Sequence, residues 1–295
     1  MKKVFPSLFL LLATIYFTTI LLTGTALAEM DTLDQADLWA EIAEEIDEAP
    51  GYEDPDDSKR NWAFSLGVAA GFSPDYEGSN DYEFGFGPNF AISWKDTVFY
   101  KGKSLGANLI KRKGLKAGPI LSWTSGRNED DNDKLEGLGD VDGSVEAGGF
   151  ISYRHKPFRF RMEARQDLGS GHEGALVELS GGISLPTQKP LVFAALGTTW
   201  ASDDYMENFF GINSKQSGNS GLKTYNAESG IKDVSISLTA GRPITNRWRV
   251  GGKAEYKRLL GDAADSPIVD DENQFLLGIS LSYHFGSKSL PEELQ

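Results

Sequence analysis

The chain contains no cysteine. That excludes a disulfide framework, a thiol nucleophile and a thiolate metal site. Cations are also scarce, with 29 Lys and Arg against 43 Asp and Glu and a formal charge of −14. That argues against a nucleic-acid partner, because phosphates are neutralised by a Lys/Arg surface. Beyond residue 28 no stretch approaches the roughly 20 apolar residues that a spanning helix needs, and the mean hydropathy of −0.33 is too polar for a bundle of such helices. A membrane protein with these properties has to cross as a closed β-barrel, since lipid cannot satisfy open strand edges and only every second strand residue meets hydrocarbon. What is plentiful fits strands: 17 Phe, 10 Tyr, 6 Trp and 33 Gly among 295 residues.

Residues 1–28 read as a secretory signal peptide. Lys2 and Lys3 precede an uncharged run from Val4 to Ala28, and Ala26-Leu27-Ala28 has the small-x-small form of a cleavage site. Cleavage there starts the mature chain near Glu29; the competing reading is a retained anchor. Residues 29–60 form an acidic periplasmic arm. Leu38, Ile42 and Ile46 recur every four residues within it, and Pro50 and Pro55 end the pattern. The arm is either a solvated, partly disordered leader or a helix that docks a partner.

From residue 61 to 286 the period becomes two. Trp62, Phe64, Leu66, Val68, Ala70 and Phe72 alternate with small residues, as do Tyr82, Phe84, Phe86, Phe90, Ile92 and Trp94. In one strand Phe158, Phe160 and Met162 oppose Arg159, Arg161, Glu163, Arg165 and Asp167. In another Trp248, Val250 and Tyr256 oppose Arg249, Lys253, Glu255 and Lys257. Strands about ten residues long, aromatics at their ends, and short turns alternating with long acidic loops favour a transmembrane barrel over a soluble sandwich. The strand number should be even. Eleven strands are evident, and a tight hairpin at Lys101–Ser104, between 98–100 and 105–109, makes twelve. Ten is the alternative if that hairpin is one irregular strand. The predicted outer loops are 73–81, 126–143, 169–173, 203–232 and 261–272. Phe275 to Phe285 form the last strand, and residues 287–295 form a tail.

The mature chain from about Trp62 to Phe285 resembles the MipA/OmpV family of outer-membrane proteins, the MltA-interacting proteins. The resemblance rests on Pro74-Asp75-Tyr76-Glu77-Gly78-Ser79, on Gly126-Arg127 followed by Leu135-Glu136-Gly137-Leu138-Gly139-Asp140-Val141, and on Gly171-His172-Glu173-Gly174. It continues in Phe210-Gly211-Ile212, Ser220-Gly221-Leu222 with Tyr225, and Leu260-Gly261-Asp262-Ala263-Ala264-Asp265-Ser266-Pro267-Ile268, closing with Tyr283-His284-Phe285. The acidic arm lies outside it. The resemblance implies an outer-membrane barrel. For the family's namesake it implies a scaffold joining a murein lytic transglycosylase to a murein synthase; for other members it implies surface proteins or adhesins.

The residues bear on three chemistries. His172 with Ser170 and Glu173 has the residue types of a catalytic triad, but all three sit in one loop, and no catalytic residue is assigned. Asp130-Asp131-Asn132-Asp133 and the Asp262–Glu272 loop are oxygen-rich, as Ca²⁺ prefers, without the EF-hand spacing, so neither metal nor cofactor is expected. The inward charges Arg159, Arg161, Glu163, Arg165, Arg249, Lys253, Glu255 and Lys257 line either a plugged lumen or a small channel. The expectation is a non-enzymatic envelope scaffold, with a porin or an adhesin as alternatives. Its surroundings are outer-membrane lipid and lipopolysaccharide. The candidate binding residues are Pro74, Tyr76, Gly78, Ser79, His172, Asp262, Ser266 and Pro267, because the first loop and the Asp262–Pro267 loop are expected to share a structural or binding role.

Overall fold

The computed structural model describes residues 62–169, 171–187, 190–245 and 247–285. The signal segment 1–28, the acidic arm 29–60, the tail 287–295 and Ser170 lie outside the described residues.

Thirteen strand segments form one antiparallel sheet: β1 (Trp62–Pro74), β2 (Tyr82–Trp94), β3 (Val98–Lys101), β4 (Ser104–Ala107), β5 (Ile110–Arg112), β6 (Leu115–Thr124), β7 (Ser144–His155), β8 (Phe158–Asp167), β9 (Ala175–Leu185), β10 (Leu191–Ala201), β11 (Gly230–Pro243), β12 (Trp248–Leu259) and β13 (Asn273–Phe285). Each pairs with its sequence neighbour, and β1 pairs with β13 from Phe64↔Phe285 to Phe72↔Leu277. Ring closure on the other side comes from β4, which pairs with β6 at Ser104↔Ser122, while β5 pairs with the lower part of β6 at Ile110↔Ala117. β4 and β5 are therefore two halves of one interrupted strand, and the barrel has twelve staves. A Cβ on Gly118 would stand 1.7 Å from the Ala107 carbonyl oxygen, so only glycine lets β6 approach there.

The β3–β4 hairpin is short. β3 pairs with β2 only from Ala91 to Trp94. Among the described residues the upper part of β2, Tyr82 to Phe90, therefore pairs with β1 alone.

Apolar side chains point outward. Phe86 is 70% exposed, Ile279 66% and Leu196 63%. Such a surface around a whole sheet is compatible with hydrocarbon and not with water. Aromatic pairs mark the ends of this band. Trp62 and Trp94 lie 6.1 Å apart and Trp248 and Tyr283 5.1 Å apart at the short-turn end; Phe72 and Phe84 lie 5.2 Å apart at the other. No helix among the described residues is long and apolar enough to cross a membrane.

The two ends differ in how they are joined. At the short-turn end, the periplasmic one in outer-membrane barrels, Lys95 and Asp96 both adopt positive φ (53° and 48°), giving the mirror-image turn that matches strand twist. At the other end, loops of up to 28 residues carry α1 (Asp203–Phe210), α2 (Ser214–Ser220) and α3 (Gly261–Ala264). Asp203 and Asp204 sit in the first turn of α1, where the helix dipole favours carboxylates. Asn213 caps α2 by accepting from the Lys215 and Gln216 amides, and Gly221 ends it at φ 76°.

Candidate functional site

The long loops fold inward over the mouth and bury a core of their own. Tyr76 from the β1–β2 loop, Leu135 and Leu138 from the β6–β7 loop, Ile212 from the β10–β11 loop and Ile268 from the β12–β13 loop form one cluster. Tyr205, Met206 and Phe210 of α1 pack with Leu176, Ala201, Leu259 and Ala263 in a second. Leu135, Leu259 and Ala263 are fully buried. Such burial is worth about 1.5–3 kcal/mol for each large side chain, enough to hold these loops as a structured cap.

The candidate residues from two distant loops meet inside this cap. The Tyr76 hydroxyl donates to the Ile268 carbonyl at 3.0 Å. Ser266 Oγ donates to the Phe210 carbonyl at 2.6 Å and accepts from the Ile268 amide. Gly78 adopts φ 106°, and a Cβ there would stand 2.6 Å from Val269 Cγ2. Its amide donates to Gln274, and Ser79 beside it is buried. Asp262 Oδ2 accepts the Glu228 amide at 2.8 Å, and its carbonyl accepts the Tyr225 hydroxyl. Pro74 ends β1, and Pro267 stands in the turn between Ser266 and Ile268. Burial pushes the Tyr76 hydroxyl above its ordinary pKa, with Asp270 and Asp75 adding to the effect.

His172 is fully buried at the edge of the cap. Its Nε2 lies 2.9 Å from Glu146 Oε1, and its Nδ1 accepts the Gly174 amide. The amide donation to Nδ1 fixes the ring proton on Nε2, which donates to Glu146. Both ring nitrogens are thus occupied, with the ring wedged against Tyr205 at 4.9 Å. This imidazole has no lone pair left for a hydroxyl nucleophile.

Beneath the cap the inward charges form ion-paired groups. Arg165 reaches Glu178, Glu146 (3.1 Å) and Glu163 (3.3 Å), and Arg161 pairs with Glu163 at 2.6 Å. Lys253 pairs with Glu255 at 3.0 Å, and Arg249 Nη1 lies 2.9 Å from His284 Nδ1. Lys232 contacts Glu77 at 2.6 Å and Asp233 at 2.9 Å, with Lys257 3.4 Å from Glu77. Burial works to raise the Glu77 carboxyl, but the Lys232 and Lys257 ammoniums override it and hold it at about 2. Between cap and lumen lies a cavity of about 590 Å³, lined by Tyr76, Glu77, Arg127, Tyr205, Lys232 and Lys257 among others. Arg127 is buried there and donates to the Phe209 carbonyl at 2.6 Å; burial lowers its pKa.

Several of these residues escaped the reading by alternation. Lys232 and Asp233 both turn inward because the β10–β11 register shifts at Thr199/Trp200, a bulge that breaks the parity. Glu146, Arg127 and Tyr205 have no local signal for their partners. Their only mark in the sequence is a polar residue within an otherwise small-residue strand face or a motif.

Among the described residues no three His, Asp or Glu side chains converge as metal ligands. In the oxygen-rich loops Asp270 pairs with Lys134 at 2.6 Å, and Asp271 accepts from Asn273, which lowers its pKa.

The family profile described as MltA-interacting protein MipA matches residues 66–285. Outer membrane protein OmpV of Vibrio cholerae is 36% identical over 89 residues, covering 30% of this chain and 34% of the relative. The MltA-interacting protein of Escherichia coli is 32% identical over 94 residues, covering 32% of this chain and 38% of the relative. The chain thus spans about a third of the length of these relatives in each alignment. Among solved structures, an anion-selective porin from Comamonas acidovorans aligns with 76% of this chain and 98% of its own at 9% identity and a TM-score of 0.32.

Proposed function

The chain belongs to the MltA-interacting protein MipA family, and on that premise we propose that it is a non-enzymatic scaffold of the outer membrane. In this reading it is exported by a signal peptide cleaved after Ala28 and held in the bilayer by its apolar exterior. It brings a murein hydrolase and a murein synthase together at its periplasmic end.

One observation carries the reading: the long loops form a hydrophobic core over the outer mouth instead of a solvated vestibule. A capped barrel is a rigid anchor rather than a passage. The candidate residues Tyr76, Gly78, Ser79, Asp262 and Ser266 then share a structural role in holding that cap. His172, with both nitrogens committed, supports the absence of catalysis. Affinity capture from solubilised outer membranes should recover murein-cleaving and murein-building enzymes together. Capture of neither, with the barrel intact, would defeat the scaffold reading.

The cavity of about 590 Å³ and the charged lumen beneath it favour a second reading, a small channel. Planar bilayers separate the two. The capped barrel should show no steady single-channel current, and a stable open conductance would select the channel.

A further inference from the structure

One sector of the short-turn end runs against the acidity of the chain. The turn at 95–97 joins β2 to β3, and the turn at 113–114 joins β5 to β6. Lys95, Lys111, Arg112, Lys113 and Lys116 gather there around one carboxylate, Asp96. Their contacts sort these cations into two groups. Lys111 Nζ donates to the Lys95 and Asp96 carbonyls at 3.3 and 3.2 Å and to Thr97 Oγ1 at 3.0 Å. Lys116 pairs with Asp96 at 2.8 Å. These two lysines lock the turns together and engage the carboxylate. Lys95, Arg112 and Lys113 are exposed and make no ion pair among the described residues. Lys95 Nζ lies over the Trp94 ring, 5.0 Å from its centroid. Lys95 and Lys113 also hold positive φ (53° and 38°), where glycine or asparagine is less strained. The turns thus carry cations that their backbone does not call for.

The three exposed cations border an apolar platform. On β5, Ile110 and Arg112 share one face, and Ile110 is 50% exposed on the barrel exterior. Leu109, 70% exposed, stands in the break between β4 and β5. Trp94 and Val98, paired across β2 and β3, are exposed on the same exterior. The Asn108 amide donates to the Thr97 carbonyl at 2.7 Å, which holds the break against the hairpin. Trp94 belongs to the aromatic girdle, so Lys95, one residue further, stands at the depth of the phospholipid head groups. Long cationic side chains at that depth reach phosphate oxygens while their stems stay in apolar contact. Other cations of the barrel are differently engaged. Arg247 donates to the Tyr283 hydroxyl at 2.6 Å. At the extracellular end Lys134 and Lys232 pair with Asp270 and Glu77.

We propose that this sector binds an anionic phospholipid of the periplasmic leaflet. Lys95, Arg112 and Lys113 hold its phosphodiester, with the Arg112 guanidinium able to donate two hydrogen bonds. The acyl chains lie along Trp94, Val98, Leu109 and Ile110. The apolar platform decides the occupant. A murein carboxylate or an acidic protein would be met by the cations alone, whereas a phospholipid uses both the charge and the exposed strip beneath it. The inference stands apart from the scaffold reading, since it concerns lipid and involves no murein enzyme.

Tryptophan quenching by brominated lipid tests this at the site itself. Two variants of the full-length mature protein each keep one tryptophan, Trp94 at the site or Trp200 on the lipid face near the other end, the rest being Phe. Each is reconstituted in phosphatidylcholine vesicles with a minor fraction of brominated phosphatidylglycerol or brominated phosphatidylcholine. Trp94 should be quenched about fivefold more efficiently by the phosphatidylglycerol at equal mole fraction. Trp200 should be quenched equally by both. The preference at Trp94 should vanish when Lys95→Gln, Arg112→Gln and Lys113→Gln are combined, and in 1 M NaCl, where the screening length falls to about 3 Å. Native mass spectrometry provides a readout with every tryptophan in place: phosphatidylglycerol retained by the unsubstituted barrel should be lost from the triple variant. No preference at Trp94, an equal preference at Trp200, or a preference that survives the triple substitution would overturn the proposal. So would binding of soluble murein fragments through the same three cations without any preference for phosphatidylglycerol, which would assign the cluster to stem-peptide carboxylates.

Discussion

The two ends of this barrel solve the same problem in opposite ways. The periplasmic end is closed by turns that need almost nothing but backbone geometry, and the charged side chains of its described turns are mostly cationic. The extracellular end spends whole loops, three helices and two hydrophobic clusters on closure, and its charges come in matched groups. The difference teaches where cooperativity resides. A turn such as Lys95-Asp96 depends on two residues, whereas the cap depends on side chains contributed by four loops at once. Damage at one cap residue should therefore spread to the others, while damage at a turn should stay local.

The largest expected break is at Lys232. Lys232→Met strands Asp233 and leaves Glu77 only the more distant Lys257, at a cost of about 3–5 kcal/mol. Loop protection in hydrogen exchange should collapse while the barrel keeps its heat-modifiable migration; unchanged protection would mean that the cap does not rest on this ion group. Leu135→Ala comes next, at about 2–5 kcal/mol, because a fully buried leucine leaves a cavity among Tyr76, Ile212 and Ile268. Proteolysis should open the β1–β2 and β12–β13 loops together, and cleavage confined to the β6–β7 loop would break the comparison.

Acid tests the same end without mutation. Glu77 sits at about 2 in the folded protein against an ordinary value of 4.5. Its contribution is fully present above pH 4.5 and is lost as the pH falls from there towards 2. Cap protection should fade across that window, and Glu77→Gln should remove that part of the acid sensitivity; an identical acid profile in the variant would refute the assignment. Tyr76→Phe removes one hydrogen bond, to Ile268, at a cost of about 1 kcal/mol in cap stability as measured by urea titration. The smallest effect belongs to the opposite end. Lys113→Gly relieves a positive φ of 38° and should change barrel stability by no more than about 1 kcal/mol, leaving the cap's exchange rates untouched.

Much of the architecture was legible in the residues. The alternation in β8 and β12 placed Arg159, Arg161, Arg165, Arg249, Lys253 and Lys257 inside, because strand geometry leaves a side chain only two faces. The requirement for an even number of strands found the Lys101–Ser104 hairpin, which β3 and β4 form. The cap was far less legible. The β6–β7 and β12–β13 loops read as acidic, yet they bury Leu135, Leu138 and Ile268. Irregular loops have no period, so an apolar residue there announces neither its partner nor its burial. His172 shows the same limit, since its partner Glu146 is 26 positions away on another strand.

The sequence by itself determined that this chain crosses a membrane as a closed sheet with an apolar outside and a charged inside. Both follow from a repeat of two, which is a local property of extended backbone. Only the tertiary structure decided that the outer mouth is capped, that Tyr76 and Ser266 serve one core, and that the inward charges join in ion-paired groups across strands. Those facts depend on which distant segments meet, and the sequence contains no periodic signal for contacts between loops nearly two hundred residues apart.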